Sequence, residues 1–128
     1  MMINYKVVPK KNQFKPDDPP KYYAQVVYEN KVTNAQLASK IARTTTMGVP
    51  DIKGVLAALE EEVIEALQAG SPVELGQLCS FYPSVKSNGA DAENAFNVNT
   101  NIDRKSVNVR AKKKLTDKMR DVSLKRVE

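Results

Sequence analysis

Ile52, Val55, Leu56, Leu59, Val63, Ile64 and Leu67 recur at helical spacing and draw a wide apolar stripe over about five turns. A stripe this wide needs more cover than one short helix and a small sheet can give in a chain of 128 residues. Two copies could bury their stripes against each other, so a dimer is expected. Gly48-Val49-Pro50 makes the turn into this helix, Pro50 or Asp51 opens it, and Gly70 closes it. An earlier helix starts at the capping box Thr33-Asn34-Ala35-Gln36, with Leu37, Ala38, Ile41 and Ala42 on one face. The β-branched run Thr44-Thr45-Thr46 ends it. Glu60, Glu61, Glu62 and Glu65 fall mostly on the solvent side of the long helix. They read as a solvated face rather than a metal site, because four crowded acids repel and no second ligand cluster exists elsewhere.

Residues 73–85 read as a strand marked by Val73, Leu75, Leu78 and Phe81. The change of step between Leu75 and Leu78 predicts a bulge near Gly76, and Pro83 predicts an edge position or a bend. Asn88-Gly89 is a turn signal, and residues 97–109 read as the returning strand of a long hairpin. Residues 112–122 read as a short helix with Leu115 and Met119 four apart; Leu124 and Val127 extend it or fray. The first 32 residues differ in kind. A strand over residues 2–8 is followed by a loop with four of the seven prolines, then by an aromatic strand over residues 21–29. Its Tyr22, Tyr23 and Tyr28 fit either a base-stacking platform or a strand that covers an edge with its phenol oxygens in water.

Histidine is absent and Cys79 is the lone cysteine. That removes imidazole acid–base catalysis and the usual zinc sites, so no catalytic residue, metal or cofactor is expected. Cys79 cannot staple the chain and fits a small buried hydrophobe in a reducing compartment better than a reactive thiol. No apolar run approaches the roughly 20 residues of a membrane span, and the N-terminus lacks a basic-then-apolar signal pattern. Residues 1–103 carry 10 Lys/Arg against 12 Asp/Glu, whereas residues 104–128 carry 10 against 3. The net charge of +5 therefore gathers at the C-terminal end. Clustered cations suit a polyanion, whose condensed counterions they release; a solvated face kept basic for solubility fits the composition equally well.

Val73-Glu74-Leu75 after the Ala66-Leu67-Gln68-Ala69-Gly70 turn, Phe81, and the later run from Val109 to Leu115 stand in an order that resembles the bacterial HU/IHF histone-like family. Leu75-Gly76 followed by Ser80-Phe81 is similar to an HU-like subfamily with an N-terminal extension. The resemblance implies an α+β, HU/IHF-like fold. Its parts are a two-helix base, a three-stranded β-sheet and a β-ribbon arm, in an intertwined dimer. It implies a β extension over residues 1–32, a DNA-binding domain over 33–122 and a basic tail over 123–128. The dimer core would take in Leu56, Leu59, Val63, Leu67, Leu78 and Phe81.

The function so implied is non-enzymatic and architectural: a homodimer on double-stranded DNA in the cytoplasmic nucleoid, with no small-molecule substrate and no membrane. Lys86, Arg104, Lys105, Arg110, Lys112, Lys113, Lys114 and Lys118 would neutralise phosphates with little sequence preference. Two departures bear on bending. The family's arm tip carries Arg-Asn-Pro, whose proline wedges between base steps. Here residues 89–97 hold Asp91 and Glu93 with no proline or cation, and Phe96 is the one candidate wedge. The charge has moved instead to the last strand and helix. An HU-fold interaction module with weak or lost DNA bending is the alternative reading. An enzyme is the third, with no convergent groups to support it.

Overall fold

The structure is a computed structural model that describes residues 1–128. Its order is β1 (Met2–Lys10), β2 (Lys21–Val26), α1 (Asn34–Thr44), α2 (Val49–Gln68), β3 (Val73–Leu75), β4 (Cys79–Ser87), α3 (Val98–Asn101), β5 (Ile102–Ala111), α4 (Lys113–Arg120) and β6 (Ser123–Arg126). The chain is mixed α+β and divides into two compact units. One is Asn34–Asp117; the other joins Met1–Thr33 to Lys118–Glu128, and the boundary falls within α4.

In the larger unit α1 lies against α2, and α2 against β3 and β4. Asn34 opens α1 and donates from Nδ2 to Glu60 Oε1 on α2 at 3.2 Å. The hydroxyls of Thr44 and Thr45 both turn back onto the Ile41 carbonyl, at 3.1 and 3.0 Å. Such side-chain bonds compete with the helix ladder and stop α1 there. Proline stands at the start of α2 and Asp51 in its first turn. At the far end Ser71 N–H donates to the Ala66 carbonyl and Gly70 N–H to the Leu67 carbonyl, both at 3.0 Å. This is a Schellman closure, and it requires the left-handed backbone that Gly70 supplies at φ 87°.

The bulge predicted near Gly76 is instead a hairpin turn. β3 pairs antiparallel with β4, Val73 opposite Phe81 and Leu75 opposite Cys79. Leu78 N–H closes onto the Leu75 carbonyl at 3.1 Å, with Gly76 at φ 52°. A positive φ serves a tight hairpin as well as a bulge, which is why the sequence pattern does not separate them. β4 is the centre of the sheet β3-β4-β5. Pro83 is accommodated because β3 ends opposite Phe81, leaving one side of β4 without a strand at Pro83.

The β-ribbon arm expected over Lys86–Lys105 does not extend beyond the sheet as a ribbon. The β4–β5 ladder stops at Ser87–Ile102, after a register shift between Lys86 and Ser87. The connection is a single 3-10 turn at Glu93–Ala95 followed by α3. Asparagines make the difference. Asn97 Oδ1 caps α3 by accepting from Asn99 N–H at 2.9 Å, and Asn97 N–H donates to Asn101 Oδ1 at 2.8 Å. Asn101 Nδ2 donates to Asn88 Oδ1 at 2.7 Å, and Asn88 Nδ2 to Asp103 Oδ1 at 3.0 Å. These local bonds replace the ladder that residues 97–101 would need to continue as a strand.

The smaller unit is a sheet of order β2-β1-β6. β1 pairs antiparallel with β2, and β6 adds in parallel on its other side with Leu124 opposite Ile3. Residues 123–126 are thus a strand, not a tail or a continuation of the last helix. The alternation of Val122 and Leu124 with Ser123 and Lys125 fits a strand, and the open side of β1 offers unpaired backbone groups to receive it.

Candidate nucleic-acid interface

Strand alternation and the β4–β5 register divide the expected cations. Ser80, Tyr82, Ser84 and Lys86 share one face with Arg104, Ser106, Asn108 and Arg110. At the middle of that face the Ser84 and Ser106 hydroxyls bond across the strands at 2.8 Å. At its distal end Lys86 stands directly opposite Arg104. Both are exposed, and neither has an ion-pair partner. Like charges directly opposite on paired strands destabilise the pair, so an anion docked between them relieves strain.

At the proximal end the Arg110 guanidinium lies 5.2 Å from the centroid of the Tyr82 ring. The ring holds the guanidinium by a cation–π contact and leaves its N–H fork free. Lys112 is differently placed. Its ammonium pairs with Glu74 on β3, and its side chain is only 21% exposed. Lys113 and Lys114 are exposed in the first turn of α4, a turn without acidic residues. Cations at a helix start oppose the macrodipole, so their position does not serve helix stability.

Lys105 stands apart from these. It faces the opposite side of the sheet and lines an apolar groove of about 600 Å³ with Ile64, Leu67, Pro83, Val85 and Val107. Lys118 belongs to the smaller unit. Phe96 follows the 3-10 turn, where its N–H donates to the Glu93 carbonyl at 3.3 Å, and is 45% exposed. It does not sit at the tip of an extended ribbon. Of the expected dimer core, Leu56, Val63, Leu67 and Phe81 are half-buried, while Leu59 and Leu78 are exposed. Cys79 is half-buried and free. Tyr82 and Glu74, which hold Arg110 and Lys112, are missed by sequence reasoning. Their roles depend on cross-strand register, which the one-dimensional pattern does not carry.

A family model described as an HU domain fused to wHTH, Ig, or glycine-rich motif, HU-HIG, matches residues 1–126. The chain belongs to the HU-HIG family. The resemblance carried by the turn at Gly70, the Val73-Glu74-Leu75 strand and the late basic run is thereby upheld, and the match takes in the N-terminal strands as well. Among solved structures, the fold is similar to that of a presumed bacterial DNA-binding protein from Bacteroides vulgatus. The TM-score is 0.68 at 17% identity, covering 98% of this chain and 48% of that one. The HU-HIG chain here thus spans about half the length of that protein, and at this identity the likeness is one of fold. No curated protein matches the chain. No helix is long and apolar enough to cross a membrane.

Proposed function

We propose that this HU-HIG chain is a non-enzymatic DNA-binding protein of the bacterial nucleoid. It acts as a homodimer and holds duplex DNA through phosphates with little sequence preference. The unpaired, directly opposed Lys86 and Arg104 carry the reading, because their mutual repulsion turns into attraction once a phosphate lies between them. Arg110, Lys113 and Lys114 extend the cationic surface of residues 33–122, and Lys112 adds less because Glu74 already holds it. DNA condensation rather than sharp bending suits the short ribbon, which has neither the length nor the wedge to open a base step. An HU-fold interaction module without bending is the second reading, and the same short ribbon favours it.

Surface area supports the dimer. The chain exposes 11029 Å². Two separately compact bodies of these sizes would expose on the order of 8,000 Å². Only Ala38 and Ile52 are buried. An obligate partner surface supplies the missing cover.

The test is a salt titration of binding to a short random-sequence duplex. Changing Lys86 and Arg104 together to Gln is expected to lower the slope of log K against log salt by about 1.8, at about 0.9 for each phosphate no longer neutralised. An unchanged slope, or no binding by the native chain, refutes the assignment.

A further inference from the structure

The two units differ sharply in charge. The larger, Asn34–Asp117, carries ten Lys/Arg and ten Asp/Glu and is neutral. The smaller carries ten Lys/Arg against five Asp/Glu, so the whole excess of +5 belongs to it. We propose that the lysine-bearing face of its β2-β1-β6 sheet is a second surface for duplex DNA phosphates. The inference rests on the DNA-binding reading above and extends it to a unit outside the expected DNA-contacting strands.

Register and alternation place most of the lysines of this sheet on one face. Ile3, Tyr5, Val7, Val26 and Leu124 share one mainly apolar face, which also carries Arg126 opposite Tyr5. The other presents Lys6, Lys10, Lys21 and Lys125, all exposed and none in an ion pair. Lys10 stands directly opposite Lys21, a second like-charge pair that an anion would relieve. The Glu29 carboxylate accepts from Asn4 Nδ2 at 3.3 Å and pairs with none of these lysines. Lysines on edge strands often serve only to block aggregation. Edge blocking calls for isolated lysines, whereas here two stand directly opposite each other, Lys10 on β1 and Lys21 on β2, past Tyr5 where β6 ends.

The chemistry of the face selects backbone phosphates over unstacked bases. Tyr23 is its one aromatic residue, and the Lys10 ammonium lies 5.8 Å over its ring. A stacking platform needs open aromatic faces, and this ring already holds a cation. From Lys6 to Lys10 the strand covers about 13 Å, roughly four base pairs of duplex rise.

The test compares three forms of the full chain on one short random duplex across a salt series. One is the native chain, and one changes Lys6, Lys10 and Lys21 to Gln. A control removes the same charge from α1 and α2 by changing Lys40, Arg43 and Lys53 to Gln. The face variant is expected to lose about 2.7 from the salt slope, at about 0.9 for each phosphate, and the control a small part of that. Lys125→Gln is a further, milder variant expected to lose about 0.9. If the native chain binds and the face variants keep its slope, or the control loses as much, the face assignment alone fails. If the native chain shows no salt-dependent binding, the DNA-binding reading fails and this inference with it. Unchanged DNA binding alongside lost binding to phosphatidylserine vesicles would assign the face to lipid headgroups and overturn the proposal.

Discussion

Ile64 is the sharpest probe of the proposed dimer. It lies on α2, is 55% exposed in the single chain, and lines the groove with Leu67, Pro83, Val85 and Val107. Fully burying an isoleucine side chain contributes about 1.5–3 kcal/mol, so covering the exposed share contributes about 0.8–1.6 kcal/mol. A two-fold interface uses the residue twice, which brings the total to about 1.6–3.3 kcal/mol. Ile64→Ala is therefore expected to weaken dimerisation by about 15- to 250-fold. Sedimentation velocity over a concentration series reads this directly, with circular dichroism to check that the variant remains folded. A native chain that is folded and monomeric at micromolar concentration would refute the reasoning. So would a variant that dimerises as tightly as the native protein.

Two glycines are expected to respond with opposite signs. Gly70→Ala forces a side chain into the left-handed region and costs about 1–2 kcal/mol, whereas Gly54→Ala, inside α2 with nothing near the added carbon, stabilises by about 0.5–1 kcal/mol; urea midpoints measure both. Asn88→Ala removes the bonds to Asn101, Thr100 and Asp103, and is expected to cost about 1 kcal/mol and to speed amide exchange across residues 97–102. Lys112→Gln should lower the DNA salt slope by well under the roughly 0.9 expected of a cation free to meet a phosphate, because Glu74 already holds that ammonium. Lys113→Gln should show the full change of about 0.9.

The long helix was legible because several independent signals agree on it. Its stripe, the proline at its start and the glycine after its end each point to the same segment, and α2 runs from Val49 to Gln68. The Gly76 region was legible only in part. A positive φ there is common to a bulge and a hairpin, and the choice depends on whether residues 79–81 fold back onto residues 73–75. The arm misled for a different reason. Val98, Thr100 and Ile102 alternate as a strand would, yet each follows an asparagine, Asn97, Asn99 or Asn101. Their side chains supply local partners for the backbone, and a two-step alternation is too weak to overcome that supply. The density of asparagine was the available signal.

Charge shows most clearly where a linear reading stops. Along the chain the positive excess gathers after residue 104, which points to the last strand and helix as the cationic surface. In space that run is divided. Arg104, Lys105, Arg110 and Lys112 to Lys114 join a unit whose acids balance them, among them the four glutamates from Glu60 to Glu65 on α2. Lys118, Arg120, Lys125 and Arg126 go to the other unit, where β6 pairs with β1 and adds its charge to that of the N-terminal lysines. A parallel strand pairing between the two chain ends is invisible to any local pattern, because its partners lie about as far apart in sequence as this chain allows. It nevertheless decides which surface attracts a polyanion from a distance. Steering follows the summed field of a unit, whereas docking depends on individual unpaired groups. The balanced unit can therefore grip phosphates at Lys86 and Arg104 without drawing DNA in, while the cationic unit accelerates encounter. Loss of Lys6, Lys10 and Lys21 should on this account slow association more than it speeds dissociation, and loss of Lys86 and Arg104 should do the reverse. Stopped-flow association and dissociation rates on one labelled duplex separate the two, and equal effects of both variants on both rates would refute the division.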